Sequence, residues 1–327
     1  MLDRPLPQRP WLRRDAPILW RDATTVEVGD NPRRTVIADV PRGLLSWVRT
    51  VRGDRILDDC LAACPDPVAG VELLALLHEA GALDDASRIP ACAVTLPQAL
   101  RDRALRHHAA ARHTYRDDRA YCAVDARASA SVVVHGSGPV AELAVIALRQ
   151  AGIGRVRRGA PPSSAARAKR AQVDGIDLVV LAHHWHPDAL DDAGCLTLDL
   201  PHLPIAAWGS RGIAGPLVVP GLGSCLTCLA LHAHDRDPRW PTLQMQRQHS
   251  SPDTHAIDTG LALSIAGHAA VLACAWLESR TDADGVEDVV NRRIEIGLPG
   301  GLPRVLDAPP HELCGCRWRS EVARRAG

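Results

Sequence analysis

The apolar positions of this chain fall first into a short strand pattern, then into three helical ones, and from Ser131 into a continuous apolar strand followed by a helix. Residues 24–29 and 34–39 are β-prone runs joined by Asp30, Asn31, Pro32 and Arg33, which predicts a hairpin within regular structure that begins near Ile18. Helical periodicity follows in residues 42–51 (Leu44, Leu45, Val48), 55–63 (Ile56, Leu57, Leu61) and 68–80 (Val71, Leu74, Leu77). Gly53, the Cys64-Pro65-Asp66-Pro67 run and Gly81 supply the breaks. A hairpin and three helices predict a small winged-helix domain over residues 17–88, behind an Arg- and Pro-rich flexible tail, residues 1–16. The third helix carries no Arg or Lys, and its polar face holds Glu72, His78 and Glu79. That electrostatic face argues against DNA binding and leaves a peptide, added as a strand to the hairpin edge, as the better partner.

Residues 89–128 read as a linker with one helical stretch, residues 97–113. His107, His108 and His113 on it read as a solvated helix face, because no cysteine or carboxylate is placed to complete a metal site. Residues 129–327 predict a second, α/β domain. Ser131-Val-Val-Val-His-Gly-Ser-Gly-Pro-Val-Ala141 is a strand, a Gly-x-Gly-x-x-Ala turn and a helix, the opening of a doubly wound fold. Gly136, Gly138 and Ala141 are therefore the candidate nucleotide-binding residues. A nucleotide site also needs an acidic residue beyond the second strand for the ribose, and acids to handle magnesium. Between Glu142 and Asp174 there is none, and Arg155, Arg157, Arg158, Arg167, Lys169 and Arg170 lie there instead. The turn reads as structural, with a phosphate or the 2′-phosphate of NADP as the alternative ligand.

The next strand, residues 177–181, leads into His183, His184 and His186, which read as a polar loop before a metal or proton-shuttle site. Residues 204–208 are a weak strand, and residues 292–298 another, after which Pro-rich loops lead to the C-terminus. Residues 261–277 form an apolar helix with small Ala262, Ala266, Gly267 and Ala270, suited to close packing inside a domain or against a second subunit in a homodimer. Cys195, in a loop, and Cys274, in that helix, read as core thiols rather than nucleophiles.

Two tight cysteine pairs, Cys225-Leu-Thr-Cys228 and Cys314-Gly-Cys316, have the composition of a closed tetrahedral thiolate site for Zn²⁺. A redox dithiol and inert thiols are the competing readings. Gly315 is expected to free the backbone where a side chain could clash. Four thiolates leave no open coordination position, so such a metal would hold the fold and do no chemistry.

Composition narrows the picture further. With 327 residues, 46% of them hydrophobic, the chain can build about two domains. It has no Phe, two Tyr and eight Trp, so the cores must rest on aliphatic residues and tryptophan. Formal net charge is zero, which points to neither nucleic acid nor a membrane surface. The N-terminus lacks the apolar core of a secretion signal and no uninterrupted apolar run is expected to span a membrane, so a cytoplasmic location with reduced cysteines is expected.

Gly215-Pro-Leu-Val-Val-Pro-Gly221, Ser224-Cys-Leu-Thr-Cys228, the run Leu231-His-Ala-His-Asp-Arg-Asp-Pro-Arg-Trp-Pro241 and the closing Cys-Gly-Cys occur in this order. In these motifs the chain resembles the ThiF-like proteins of actinobacterial thiazole/oxazole-modified microcin (TOMM) clusters, over residues 17–318. The resemblance implies a PqqD-like winged helix that captures a precursor's leader peptide and a zinc-stapled ThiF-like domain. It also implies a YcaO-type cyclodehydratase as partner for the ATP-dependent heterocyclisation of Cys, Ser or Thr in a ribosomal precursor. On that resemblance Cys225, Cys228, Cys314 and Cys316 are the zinc ligands. The leader groove would run between Arg34, Val36 and Ala38 on the strand and Val71, Leu74 and His78 on the helix. ThiF-type adenylating enzymes place an Asp after the second strand and another after the fourth. This chain has Arg157-Arg158-Gly159 and His183-His184 there. ATP binding is therefore not expected, no catalytic residue is assigned, and the implied role is a leader-binding scaffold. An ATP-dependent adenylyltransferase and an NADP-binding oxidoreductase are the alternatives.

Overall fold

The computed structural model describes residues 5–13, 16–29, 34–115, 118–159, 175–183, 185, 187, 192–248, 256–279 and 289–317. They belong to two compact units, Met1–Asp125 and Ala126–Gly327.

In the first unit, β1 (Pro10–Leu12), β2 (Ile18–Trp20), β3 (Val26–Val28) and β4 (Thr35–Ile37) precede α1 (Arg42–Val48), α2 (Leu57–Ala62) and α3 (Pro67–Glu79). β2, β3 and β4 form an antiparallel sheet with β3 in the middle, so the expected hairpin has gained a third strand. Alternation decides its faces: Val26, Val28 and Ile37 enter the core, and Leu19, Glu27 and Val36 stand in register on the other face. α3 starts where the sequence punctuates it. Asp66 accepts hydrogen bonds from the backbone N–H groups of Val68 and Ala69, and Pro67 occupies the first turn, where its missing N–H costs nothing. Leu44, Val48, Leu73, Leu74, Leu77 and Leu83 close the core.

The segment expected to be a flexible tail is partly structured. β1 pairs antiparallel with β5 (Leu83–Asp85), Trp11 opposite Asp84, an association too distant in sequence for local patterning to announce. The expected linker is also largely helical: α4 (Cys92–Thr95), α5 (Gln98–Tyr115) and α6 (Arg119–Ser129), the last running across the boundary between the units. Within the first unit α5 and α6 are tied by a buried polar network in which Arg112 pairs with Asp84 at 3.3 Å and Tyr121 donates to Asp84 at 2.8 Å. His108 lies against Tyr121, ring centroids 4.5 Å apart, so it is a packed residue and not the solvated one expected.

The second unit is an α/β layer structure on one seven-stranded sheet. β6 (Ser131–His135), α7 (Gly138–Gln150), β7 (Arg155–Arg158), β8 (Leu178–His183), α8 (Ala193–Thr197), β9 (His202–Trp208) and β10 (Arg211–Ala214) are followed by α9 (Leu226–Arg236), α10 (Trp240–Gln248), α11 (Thr259–Ser279), β11 (Arg292–Gly297) and β12 (Pro303–Asp307). The strand order is β12-β11-β10-β9-β8-β6-β7, parallel from β7 to β9 and antiparallel from β9 to β12. Residues 204–208, expected to be a weak strand, belong to the central strand of the sheet, where Leu203, Ile205, Ala206 and Ala207 are fully buried. Their ladder partners on both sides outweigh the low β-propensity of Pro204 and the alanines. β12 likewise occupies a stretch expected to be Pro-rich loop. Cys195 sits in α8 and not in a loop.

α11 is long and apolar enough to cross a membrane by length and composition, although Ser264 and His268 interrupt its apolar run. Its Leu261, Ile265, Ala269 and Leu277 are buried with Val134, Leu148, Ile205 and Leu217, which makes it the central helix of the hydrophobic core. Among the described tryptophans only Trp47 is buried, so the cores rest on Leu, Val, Ile and Ala and very little on indole rings.

Candidate functional site

α9 begins at the first cysteine pair. Cys225 is its N-cap residue and Cys228 lies one turn on, so both thiols sit at a helix N-terminus, where partial positive charge favours the thiolate. The second pair arrives after β12 on a 3₁₀ turn, Gly315–Arg317. The Sγ separations are 3.9 Å for Cys225–Cys228, 3.6 Å for Cys225–Cys314 and 3.5 Å for Cys228–Cys316. Zn–S bonds of about 2.3 Å in a tetrahedron put the sulfurs about 3.8 Å apart, so the four thiols fit a single metal ion of this kind. The cluster is sealed against Val218 and Leu196.

Electrostatics within the cluster single out one thiol. Hydrogen bonds from Cys225 and Cys316, with a further one from the backbone N–H of His311, push the Cys228 thiol far down. Cys225, as donor to Cys228, is pushed far up. The loop behind it is held by a buried acid: Asp192 accepts from the Leu226 N–H at 2.9 Å and lies 3.5 Å from Nε2 of the equally buried His202. Gly315 has no steric duty, because a Cβ there would meet nothing within 4 Å and its φ is not positive, so the expected clash is absent.

Three further ligand-type side chains lie beside the thiols. His311 contacts Asp235 at 2.8 Å through Nε2, its Nδ1 accepts from the Leu313 N–H, and the His232 ring meets it edge-on at 4.6 Å. Since Nδ1 already accepts, Nε2 carries the proton and donates it to the carboxylate, so this trio ties the cysteine-bearing C-terminal segment to α9. Sequence reasoning missed it, although the i, i+3 spacing of His232 and Asp235 on a helix was a readable signal.

The candidate nucleotide turn lies at the end of β6. Gly136 has φ +117°, and a Cβ there would come 2.0 Å from the Ala182 carbonyl oxygen, so the close approach of the β8 end requires glycine whether or not anything binds. Gly138 opens α7 with φ +77°, and Ala141 is buried against the core. The crevice at this turn, about 680 Å³, is lined by His135, Gly136, Ser137, Arg158, Gly159, Ala182 and His183, with no carboxylate among the described lining residues. Arg158 donates to the Gly136 carbonyl at 2.8 Å and so lies along the rim of the turn. Arg155 and Arg157 are exposed on β7. Arg167, Lys169, Arg170, His184 and His186 lie outside the described residues.

The candidate peptide-binding residues separate into two groups. Val36 on β4, the outer strand of its sheet, and Arg34 and Ala38 flanking it are exposed in alternation with Thr35 and Ile37. On α3, Val71 and His78 are half-buried, His78 within 3.3 Å of the Leu83 carbonyl. Leu74 is fully buried in the core and cannot line a groove. The helical phase runs the other way, exposing Val68, Glu72, Leu76 and Glu79. Burial pushes the Cys195 thiol up to about 12 and that of Cys274 up to about 11, and thiols so held are poor nucleophiles.

No protein-family model and no curated protein matches the chain. Solved structures do. The heterocyclase TruD is similar over 98% of this chain at 15% identity with a TM-score of 0.63, and a heterocyclase in complex with substrate and cofactor over 97% at 16% and 0.65. This chain spans only 44% and 40% of those two. E. coli MccB with its MccA peptide is similar over 94% of this chain and 99% of MccB, at 13% identity and a TM-score of 0.62. MccB with ATP gives 14% identity and the same coverages. At these identities the likeness is one of fold: the chain shares the mixed α/β architecture of TruD and MccB.

Proposed function

We propose that the chain is a leader-peptide-binding scaffold that presents a ribosomal precursor peptide to a YcaO-type cyclodehydratase. The observation that carries the reading is the outer edge of β4, where Val36 and the flanking Arg34 and Ala38 are exposed along a strand whose far side has no partner among the described residues. Such an edge offers backbone donors and acceptors to an extended peptide, and alternate side chains give it specificity. The β2–β4 sheet with α1 to α3 is the PqqD-like winged helix of this reading, and the four thiols are its structural Zn²⁺ site. The fold shared with TruD and with MccB bound to MccA supports a role in peptide modification. Among its described lining residues the crevice at the glycine turn has none of the carboxylates that a magnesium nucleotide needs, which favours a scaffold over an activating enzyme.

The test is fluorescence anisotropy of candidate precursor peptides with the full chain and with Val36→Asp. Val36 is 46% exposed, so the variant stays folded, and its affinity for the leader falls at least about tenfold if the edge is the site. Unchanged affinity in both Val36→Asp and Ala38→Asp rejects the assignment. One observation favours a second reading, an ATP-dependent adenylyltransferase: the fold covers nearly all of MccB, a protein also solved with ATP.

A further inference from the structure

The Asp235-Arg-Asp-Pro-Arg-Trp-Pro241 run is used by neither the thiol cluster nor the β4 edge beyond Asp235, yet it builds one wall of a cleft of about 350 Å³ over the antiparallel half of the sheet. The floor follows from register. Arg211 stands opposite Trp208, and Ile213 opposite Glu295, so these four with Arg293 share one face of β9, β10 and β11. Gly212 faces the other way, toward Ile265 of α11. α9 contributes Leu229, Ala233 and Arg236 to the walls, and Asp237 and Trp240 follow it.

Three guanidiniums, those of Arg211, Arg236 and Arg293, therefore meet two carboxylates, Asp237 and Glu295, in one cleft. The acids are already engaged. Glu295 is held by Arg304 at 2.9 Å and Arg211 at 3.8 Å, and Asp237 accepts from the Arg239 N–H. Arg236 and Arg293 have no ion-pair partner among the described residues, and the buried Nε of Arg293 has no hydrogen-bond acceptor. Leaving a buried guanidinium nitrogen unmatched is costly, and an anion in the cleft would satisfy it. Burial holds the Arg293 guanidinium below its usual range, opposed by the Glu295 carboxylate and reinforced by Arg236.

We infer that this cleft binds a carboxylate attached to an apolar or aromatic body, of the kind found at the C-terminal residue of a peptide, with Arg293 and Arg236 on the carboxylate and Trp208 and Trp240 beside the body. Charge selects this class. The described lining residues carry one positive charge in excess, which a monoanion neutralises and a phosphate dianion exceeds, with greater repulsion from Asp237 and Glu295. Arginine's planar fork suits two carboxylate oxygens, and the indoles suit a flat or aliphatic neighbour. The site stands on different residues from the leader edge and does not depend on it.

The test is a titration of the full-length chain, followed by tryptophan fluorescence, with N-acetylphenylalanine, its neutral amide and inorganic phosphate as probes. The acid is expected to saturate at millimolar concentration, the amide to bind at least about tenfold more weakly, and phosphate more weakly than the acid. Arg293→Gln is expected to weaken the acid by about tenfold, and the exposed Arg236→Gln by at least about threefold, with unchanged circular dichroism for the latter. Should Arg293→Gln fail to fold, Arg236→Gln decides alone. Equal binding of acid and amide, tighter binding of phosphate, no saturation by the acid, or wild-type affinity in folded variants each overturns the inference.

Discussion

Removing the proposed zinc ion, or any one of the four thiols that would hold it, should loosen the second unit by an amount that the chain geometry sets. The Cys228–Cys316 contact joins positions 88 apart, so an ion held there closes a loop over the C-terminal part of the second unit, somewhat less than half of it. For a cross-link of that span the loop-closure relation gives about 4.6 kcal/mol at 25 °C. This is an upper value, because unfolded thiols retain some affinity for zinc. In a unit of this size each kcal/mol moves the melting temperature by about 2–4 °C, so chelation should lower it by roughly 9–18 °C. The assay is calorimetric unfolding of the zinc-loaded chain with and without chelator, with metal content measured in parallel. Cys225→Ser, Cys228→Ser, Cys314→Ser and Cys316→Ser should each lose both the metal and the same increment of stability. A chain that purifies with no zinc and melts at the same temperature in chelator refutes the staple, as does a loss confined to one cysteine pair.

Other expectations follow from burial and backbone geometry. Leu74→Ala should cost about 2–5 kcal/mol in urea unfolding, as a core truncation, and Leu76→Ala on the exposed face of α3 much less; equal costs would place the helix in the wrong phase. Gly136→Ala should destabilise by at least about 1–3 kcal/mol through positive φ and the Ala182 carbonyl, even in a protein that binds no nucleotide. The thiols of Cys195 and Cys274 should resist labelling at pH 8 while exposed Cys122 reacts, and labelling of all three at one rate in the native state would contradict their burial. Because the folded-state values of Cys195 (about 12) and Cys274 (about 11) are raised above the ordinary 9.0, the folded chain binds those protons more tightly. The stability they contribute is complete below pH 9 and is lost as pH rises toward 11–12, which denaturant midpoints across that range would measure. Val271 (68% exposed) and Leu263 on α11 and Ile146 on α7 are exposed apolar residues; if Val271 lies between two copies of the chain, Val271→Arg should shift a dimer to monomer in sedimentation, and an unchanged sedimentation coefficient argues against that interface.

Much of this architecture was legible because its signals are local. Continuous apolar runs marked β6 and β8, Asp66-Pro67 marked the start of α3, and the glycine turn marked the β6–α7 junction. The cysteine pairs pointed to their own meeting, since two thiols in each of two turns have the composition of a tetrahedral ligand set. What escaped depends on distant partners. β1 exists because Leu83–Asp85 offers it an edge, and Pro204 to Trp208 is a central strand because β8 and β10 flank it. Leu74 looked available as one of three apolar positions on a helix, but only the packed structure tells which of α3's faces meets the core. The arginine cleft was invisible for the same reason: Arg211, Arg236 and Arg293 are brought together by strand register and by α9 lying over the sheet.

The most direct measurement is a calorimetric titration of the zinc-loaded, full-length chain with Mg-ATP up to about 1 mM, since weaker binding corresponds to less than about 4 kcal/mol. A scaffold that leaves activation to its partner enzyme gives no saturable heat. Saturable binding, followed by ATP–pyrophosphate exchange with a candidate precursor peptide, would contradict that account and make the chain an adenylyltransferase.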